Sequence, residues 1–135
     1  MNGCDVLVTQ SGGCPVKIVY VEDNANNQRL LCRMLSKRNI EVELCDNAED
    51  GYMAIHTHQP DLIFMDVHLK TKTSGLDLVR QLRHDGVNTP IILVTIFNMM
   101  ADKKRALEAG CNDFLMKPFE MAQLLTLVDQ YAVAS

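Results

Sequence analysis

The chain has 135 residues, 47% hydrophobic and 22% charged, with a formal net charge of −4. This is an ordinary globular balance, in a length that suits one domain with a real core. The acidic balance argues against a general nucleic-acid or membrane binder, and no apolar run approaches the roughly 18 residues of a membrane span.

Residues 1–15 read as a loose leader, small, polar and glycine-containing. They have neither the basic n-region nor the apolar h-region of a signal peptide, so a cytoplasmic location is expected. The one stretch there with strand character is "CDVLVT". From Lys17 the pattern is regular. "KIVYV" (17–21) reads as a short buried strand. "NANNQRLLCRMLSK" (24–37) places Leu30, Leu31, Met34 and Leu35 on one helical face. "EVELC" (41–45) is a strand, and "AEDGYMAIHTH" (48–58) a helix stopped by Pro60. "DLIFMD" (61–66) is the third strand, followed by the helix "GLDLVRQLRH" (75–84) with Leu78, Val79 and Leu82 inward. "PIILVT" (90–95) is a strand, "MMADKKRALEAG" (99–110) a helix ended by Gly110, and "DFLM" (113–116) a short strand. The last helix, "FEMAQLLTLVDQYA" (119–132), carries Met121, Leu124, Leu125, Val128 and Ala132 on one side.

Five strands therefore alternate with five helices. Continuously apolar strands are buried on both faces, which marks a parallel sheet covered by helices. With right-handed crossovers, the expected fold is α/β: a flavodoxin-like, doubly wound sheet of five parallel strands in the order 2-1-3-4-5. The second strand of that set should lie at the edge. No linker or repeat divides residues 16–133, which read as one domain.

In such sheets ligands bind beyond the carboxyl ends of the strands. Glu22 and Asp23 follow the first strand, Asp66 ends the third, Thr95 ends the fourth, and Lys117 and Pro118 follow the fifth. Singly, each has a plain reading as a helix cap, a turn former or a loop residue. Jointly they place three acids, a hydroxyl and a lysine on one rim. Three neighbouring carboxylates raise one another's pKa unless a cation joins them. Oxygen-only ligands favour a hard ion, and Mg²⁺ takes one or two carboxylates together with water and phosphate oxygens. Lys117 adds a point charge for an anion and Thr95 a rotatable donor. Around a carboxylate, that set suits the arrival of a phosphoryl group.

Over residues 16–133 the chain resembles the receiver domain of two-component response regulators, through "VYVEDN", "DLIFMD", "PIILVT" and "FLMKPF" in order. "EDNANNQRLL" is most similar to single-domain and hybrid-kinase receivers. The resemblance implies a phosphoacceptor signalling switch, with at most autocatalytic phosphorylation and self-dephosphorylation as enzymatic activity. Asp66 would be phosphorylated by a phosphohistidine on a sensor histidine kinase or a histidine phosphotransfer domain. Asp23 would bind Mg²⁺ directly, Glu22 mainly through water, and His68 through its backbone carbonyl. Lys117 would pair with the phosphoryl oxygens and Thr95 would hydrogen-bond them. Phe114 would turn inward after Thr95 moves, and a cis bond would precede Pro118. The face of the fourth helix, fifth strand and fifth helix would then change its binding of a downstream protein, without direct nucleic-acid or membrane contact. The chain ends at Ser135 with no output domain in view, as expected of a stand-alone regulator acting by protein contact or phosphorelay, or of a receiver excised from a hybrid kinase.

Two features depart from the family pattern. The residue after the switch threonine is usually Ala or Gly; here it is Ile96, which should crowd the phosphate. The loop after Asp66, "VHLKTKTSG", has Lys70 where a proline is usual, and its glycine, Gly75, sits nine residues on where eight is usual. The loop reads either as a tolerated surface insertion or as one whose Lys70 or Lys72 touches the phosphoryl group or an acidic partner surface.

The same residues bear on other functions. A flavodoxin-type cofactor binder needs a Ser/Thr/Gly-rich phosphate loop after the first strand, where this chain has "EDNANN". A metal-dependent phosphohydrolase with an aspartate nucleophile usually has a second acid two residues on, where this chain has His68. A pseudo-receiver that docks without taking phosphate is kept open by Ile96. The five cysteines, Cys4, Cys14, Cys32, Cys45 and Cys111, form no C-x-x-C pair or zinc spacing and read as reduced thiols. His56 and His58 are two apart and cannot share a helix face, so no zinc site is read there.

Overall fold

The strands form where apolar residues run without interruption. "LIFMD" and "IILVT" are buried at all five positions each. The computed structural model describes residues 4–8, 15–67, 69, 74–96 and 100–132, with backbone alone for 4–8 and 100–102. In chain order the elements are β1 (Cys4–Val8), β2 (Val16–Val21), α1 (Ala25–Leu35), β3 (Ile40–Cys45), α2 (Ala48–His58), β4 (Leu62–Asp66), α3 (Gly75–His84), β5 (Ile91–Thr95), α4 (Met100–Ala109), β6 (Asp113–Met116) and α5 (Met121–Tyr131).

The sheet order is β1-β3-β2-β4-β5-β6. Strands β2 to β6 are mutually parallel and, numbered among themselves, run in the expected order 2-1-3-4-5. β1 adds a sixth, antiparallel strand against β3. It occupies part of the segment expected as a loose leader, at the stretch with strand character. β3, expected at the edge, therefore has a neighbour on each side. The chain leaves β2 towards β3, then returns to build β4, β5 and β6 on the other flank. That reversal opens a crevice at the carboxyl ends of β2 and β4.

Two apolar cores lie on the two sides of the sheet. One gathers Val19, Val21, Met65 and Leu93 with Ile55 of α2, Val79 and Leu82 of α3 and Ala106 of α4. The other gathers Ile18, Tyr20, Phe64 and Val94 with Leu31 and Leu35 of α1 and Leu124 and Val128 of α5. Not every residue expected inside is there: Leu30 is 42% exposed and Met121 49%. Leu30 lies on the flank of the α1 stripe, and Met121 opens α5 ahead of the turns that cover the sheet.

α1, α2 and α3 begin on polar caps, as their sequences allow. Asn24 accepts from the Asn27 amide at 3.0 Å, Asn47 from the Asp50 amide at 2.8 Å, and Ser74 and Asp77 form a capping box on α3. The start of α3 closes tightly onto the end of β4. The Gly75 amide donates to the Val67 carbonyl at 3.2 Å, and Leu69 is buried in the core under α2 and α3. A Cβ on Gly75 would sit 2.0 Å from the Asp66 carbonyl oxygen, so only glycine fits this approach. Gly75→Ala is therefore expected to lower stability by about 2–3 kcal/mol, as overpacking against backbone does. A urea midpoint equal to that of the unaltered chain would contradict this account of the close approach.

Candidate functional site

The register of β2 and β4 builds the site. Tyr20 pairs with Phe64 and Val21 with Met65, so Glu22, one step further along, stands beside Asp66. Ligand oxygens of Glu22, Asp23 and Asp66 lie within 4.8 Å of one another. Glu22 is 1% exposed and Asp66 5%. Buried carboxylates this close need a countercharge, and Lys117 supplies it from beyond β6. Its Nζ lies 2.5 Å from Glu22 Oε1 and 3.5 Å from Asp66 Oδ2.

Glu22 is the most heavily bonded of the acids. Besides Lys117, its Oε1 accepts from the Tyr20 hydroxyl at 3.0 Å and from Asn27 Nδ2 at 3.2 Å. Its Oε2 accepts from the Asn24 amide at 3.2 Å, and Gln28 Nε2 donates to its backbone carbonyl at 2.6 Å. Burial pushes the Glu22 carboxyl up. The hydrogen bond it shares with Asp66, the bond from Lys117 and the lysine charge more than reverse this and hold it below the usual carboxylate range. Burial, followed by the Glu22 charge, pushes the Tyr20 hydroxyl up, so Tyr20 stays a donor.

Tyr20, Asn27 and Gln28 were not read from the sequence as site residues. The signal for Tyr20 was present: a tyrosine in a strand buried on both faces must find a partner for its hydroxyl. Glu22, two residues on, continues the same face. Asn27 and Gln28 occupy the first turn of α1, which the Asn24 cap points back at the end of β2.

Thr95 ends β5 and is 2% exposed, and its carbonyl accepts from the Lys117 amide at 2.6 Å. Because Asp66 pairs with Val94, Thr95 stands one residue beyond it on the adjoining strand. The Lys117–Pro118 peptide is cis. Phe114 lies on the α4 side of the sheet, half-buried, with Lys103 Nζ 5.5 Å from its ring centroid. Ile96 is 58% exposed and, with Tyr20, Asn27, Leu30, Lys117, Pro118 and Phe119, rims a hollow of about 360 Å³. His68, Lys70 and Lys72, singled out in the sequence, lie outside the described residues. Only oxygens are offered by the three acids, and Asp23 is partly exposed. That donor set fits a hard divalent cation such as Mg²⁺ approaching from solvent.

A family model for the response regulator receiver domain matches residues 18–129. The chain belongs to this family. Among curated relatives, the receiver is 35% identical over 113 residues to the transcriptional regulatory protein CusR of Escherichia coli K12, covering 84% of this chain and 49% of CusR. It thus spans about half the length of the curated relatives it matches. Among solved structures, the receiver domain of sensor histidine kinase PA1611 from Pseudomonas aeruginosa PAO1 is 30% identical with a TM-score of 0.79, covering 87% of this chain and 98% of that one. That structure has a magnesium ion coordinated in its active-site cleft. The chemotaxis protein CheY4 of Vibrio cholerae shares the fold, with a TM-score of 0.81 at 22% identity, covering 87% of this receiver and 99% of that chain. Among the described residues, no helix is long and apolar enough to cross a membrane.

The bonding around Glu22 has a direct consequence. Tyr20→Phe keeps the ring and leaves the buried carboxylate one donor short, so it is expected to reduce unfolding free energy by about 1.5–3 kcal/mol. Urea denaturation at neutral pH checks this, and an unchanged stability would show that the hydroxyl is not needed to hold Glu22.

Proposed function

We propose that this receiver is a phosphoacceptor switch in which Asp66 takes a phosphoryl group from a phosphohistidine. The observation that carries the reading is the Lys117 ammonium set against Glu22 and Asp66 at the carboxyl edge of the sheet. An Asp66 carboxylate oxygen attacks the phosphorus, and the P–N bond of the donor breaks. Its electron pair stays on the imidazole, leaving an acyl phosphate on Asp66. Lys117 then pairs with the phosphoryl oxygens, and the Thr95 hydroxyl donates to one of them. Glu22, Asp23 and Asp66 would hold Mg²⁺, together with the carbonyl of His68. When bound, the ion supplies positive charge that offsets the phosphoryl oxygens.

The movement of Thr95 towards the phosphate leaves room for Phe114 to turn inward, which biases a two-state equilibrium of the α4-β6-α5 face. The donor is a sensor histidine kinase or a histidine phosphotransfer domain, and the changed face binds a downstream protein in the cytoplasm. The chain does no catalysis beyond its own phosphorylation and dephosphorylation. One observation favours a second reading, a docking module that takes no phosphate: Ile96 follows Thr95 directly and shares the rim of the hollow with Lys117.

Intact mass after incubation with acetyl phosphate and Mg²⁺ separates the two. A phosphate-sized gain, lost in Asp66→Asn and in EDTA, is expected. No gain, together with no binding of Mg²⁺ or beryllofluoride, would favour docking alone. Ile96 is expected to shield the acyl phosphate from water. Ile96→Ala should therefore shorten the lifetime of the phosphorylated protein several-fold, followed by mass against time after removal of the donor. Equal lifetimes would remove any role for Ile96 in the chemistry.

A further inference from the structure

Glu43 is a buried carboxylate that the site at the strand ends does not use. It lies in the middle of β3, paired with Val19 of β2 on one side and Val6 of β1 on the other, and is 8% exposed. Its Oε1 lies 3.0 Å from His58 Nε2. Its Oε2 is buried and has no hydrogen-bond partner among the described residues. A buried carboxylate oxygen in that state is costly until a donor or a cation meets it. Burial pushes the Glu43 carboxyl up, the His58 charge draws it down and the Glu41 charge pushes it up again, which leaves it above the usual carboxylate range. There is also room for a ligand. Glu41, Glu43, His58 and Pro60, with the first residues of β2, line a cavity of about 40 Å³, enough for an ion and roughly two waters. His58 is the last residue of α2, where the partial negative charge of a helix end favours a cation.

We propose that His58 and Glu43 form a metal site, apart from the acid cluster, for a divalent transition-metal ion of the zinc class. An imidazole nitrogen beside carboxylate oxygens is the donor set such ions prefer, whereas Mg²⁺ takes oxygens alone. Neighbouring ligands about 2.0–2.2 Å from one ion stand roughly 3.0–3.5 Å apart, and the His58–Glu43 pair is already spaced in this way. His58 binds through Nε2 and carries its proton on Nδ1. Glu43 binds through Oε1, and its orphaned Oε2 offers a second oxygen. Glu41, half-buried, lines the same cavity, and water completes the coordination. Lys17 also lines it, but its side chain is exposed and its ammonium can turn to solvent. His56 takes no part, because its Nε2 faces Asp85 at 3.4 Å. Glu43 pairs with Val19, three residues before Glu22, so the ion ties the end of α2 to β3 without touching the residues around Asp66.

The test titrates Zn²⁺ into the folded full chain by calorimetry, with Mg²⁺ in excess to keep the oxygen-only cluster occupied. Binding of one Zn²⁺ per chain is expected. His58→Ala, at an exposed position, and Glu43→Gln, which keeps the shape of the side chain, should each weaken it by at least about tenfold, the loss that even an outer partner of a metal ligand causes. Asp23→Asn should bind Zn²⁺ as the unaltered chain does. The imidazole nitrogen NMR signals of His58 should shift on addition of Zn²⁺ while those of His56 stay in place. No uptake of Zn²⁺, uptake undiminished in His58→Ala, as ligation by thiols would give, or uptake lost in Asp23→Asn would overturn the proposal.

Discussion

Two carboxylates, Glu22 and Asp66, lie side by side at the end of a sheet with almost no access to water, and Lys117 lies against both. Taken alone, each buried charge carries a desolvation cost of several kcal/mol. The lysine, the Tyr20 hydroxyl, the Asn27 amide group and the Asn24 backbone offset it through Glu22. Much of the architecture serves this contact. β2 and β4 deliver the acids from neighbouring strands, and their register sets them level. The turn after β6 returns the lysine across the face of the sheet, with its amide held by the Thr95 carbonyl. The two apolar cores keep these strand ends from moving, because a close-packed interior yields little.

The same contact explains the chemistry available to the site. On the proposed function, a carboxylate fixed beside a cation, with a hydroxyl one residue further along the next strand, would receive a phosphoryl group without rearranging its strand. Family membership and the parallel topology agree with that use. Leu69 is buried, and Gly75 closes onto the end of β4. Ile96 is the feature that most distinguishes the mouth of the site, where a small residue is usual.

Most of the parallel sheet was legible in the sequence because its strands are continuously apolar and its helices carry caps and apolar stripes. The acids, the threonine and the lysine were legible because doubly wound topology sends the residues after each strand to one rim. Other features follow from three-dimensional packing that no local pattern encodes. Leu30 satisfies the α1 periodicity yet lies at the flank of the helix, and Met121 is the first residue of α5. The pairing of Cys4–Val8 with β3 depends on a long-range contact, so the strand character of "CDVLVT" did not by itself place it in the sheet. Tyr20 was hidden differently: its side chain counts as apolar in a strand pattern, while its hydroxyl belongs to the site.

The most direct test of the account is thermal stability as a function of Mg²⁺ for the unaltered chain and for Asp23→Asn. If the three carboxylates form one cation site, Mg²⁺ binds the folded state and raises the melting temperature progressively, as ligand linkage requires. Losing one ligand should largely remove that rise while the metal-free fold persists. An equal rise in both proteins, or none in the unaltered chain, would contradict a cation site built from Glu22, Asp23 and Asp66.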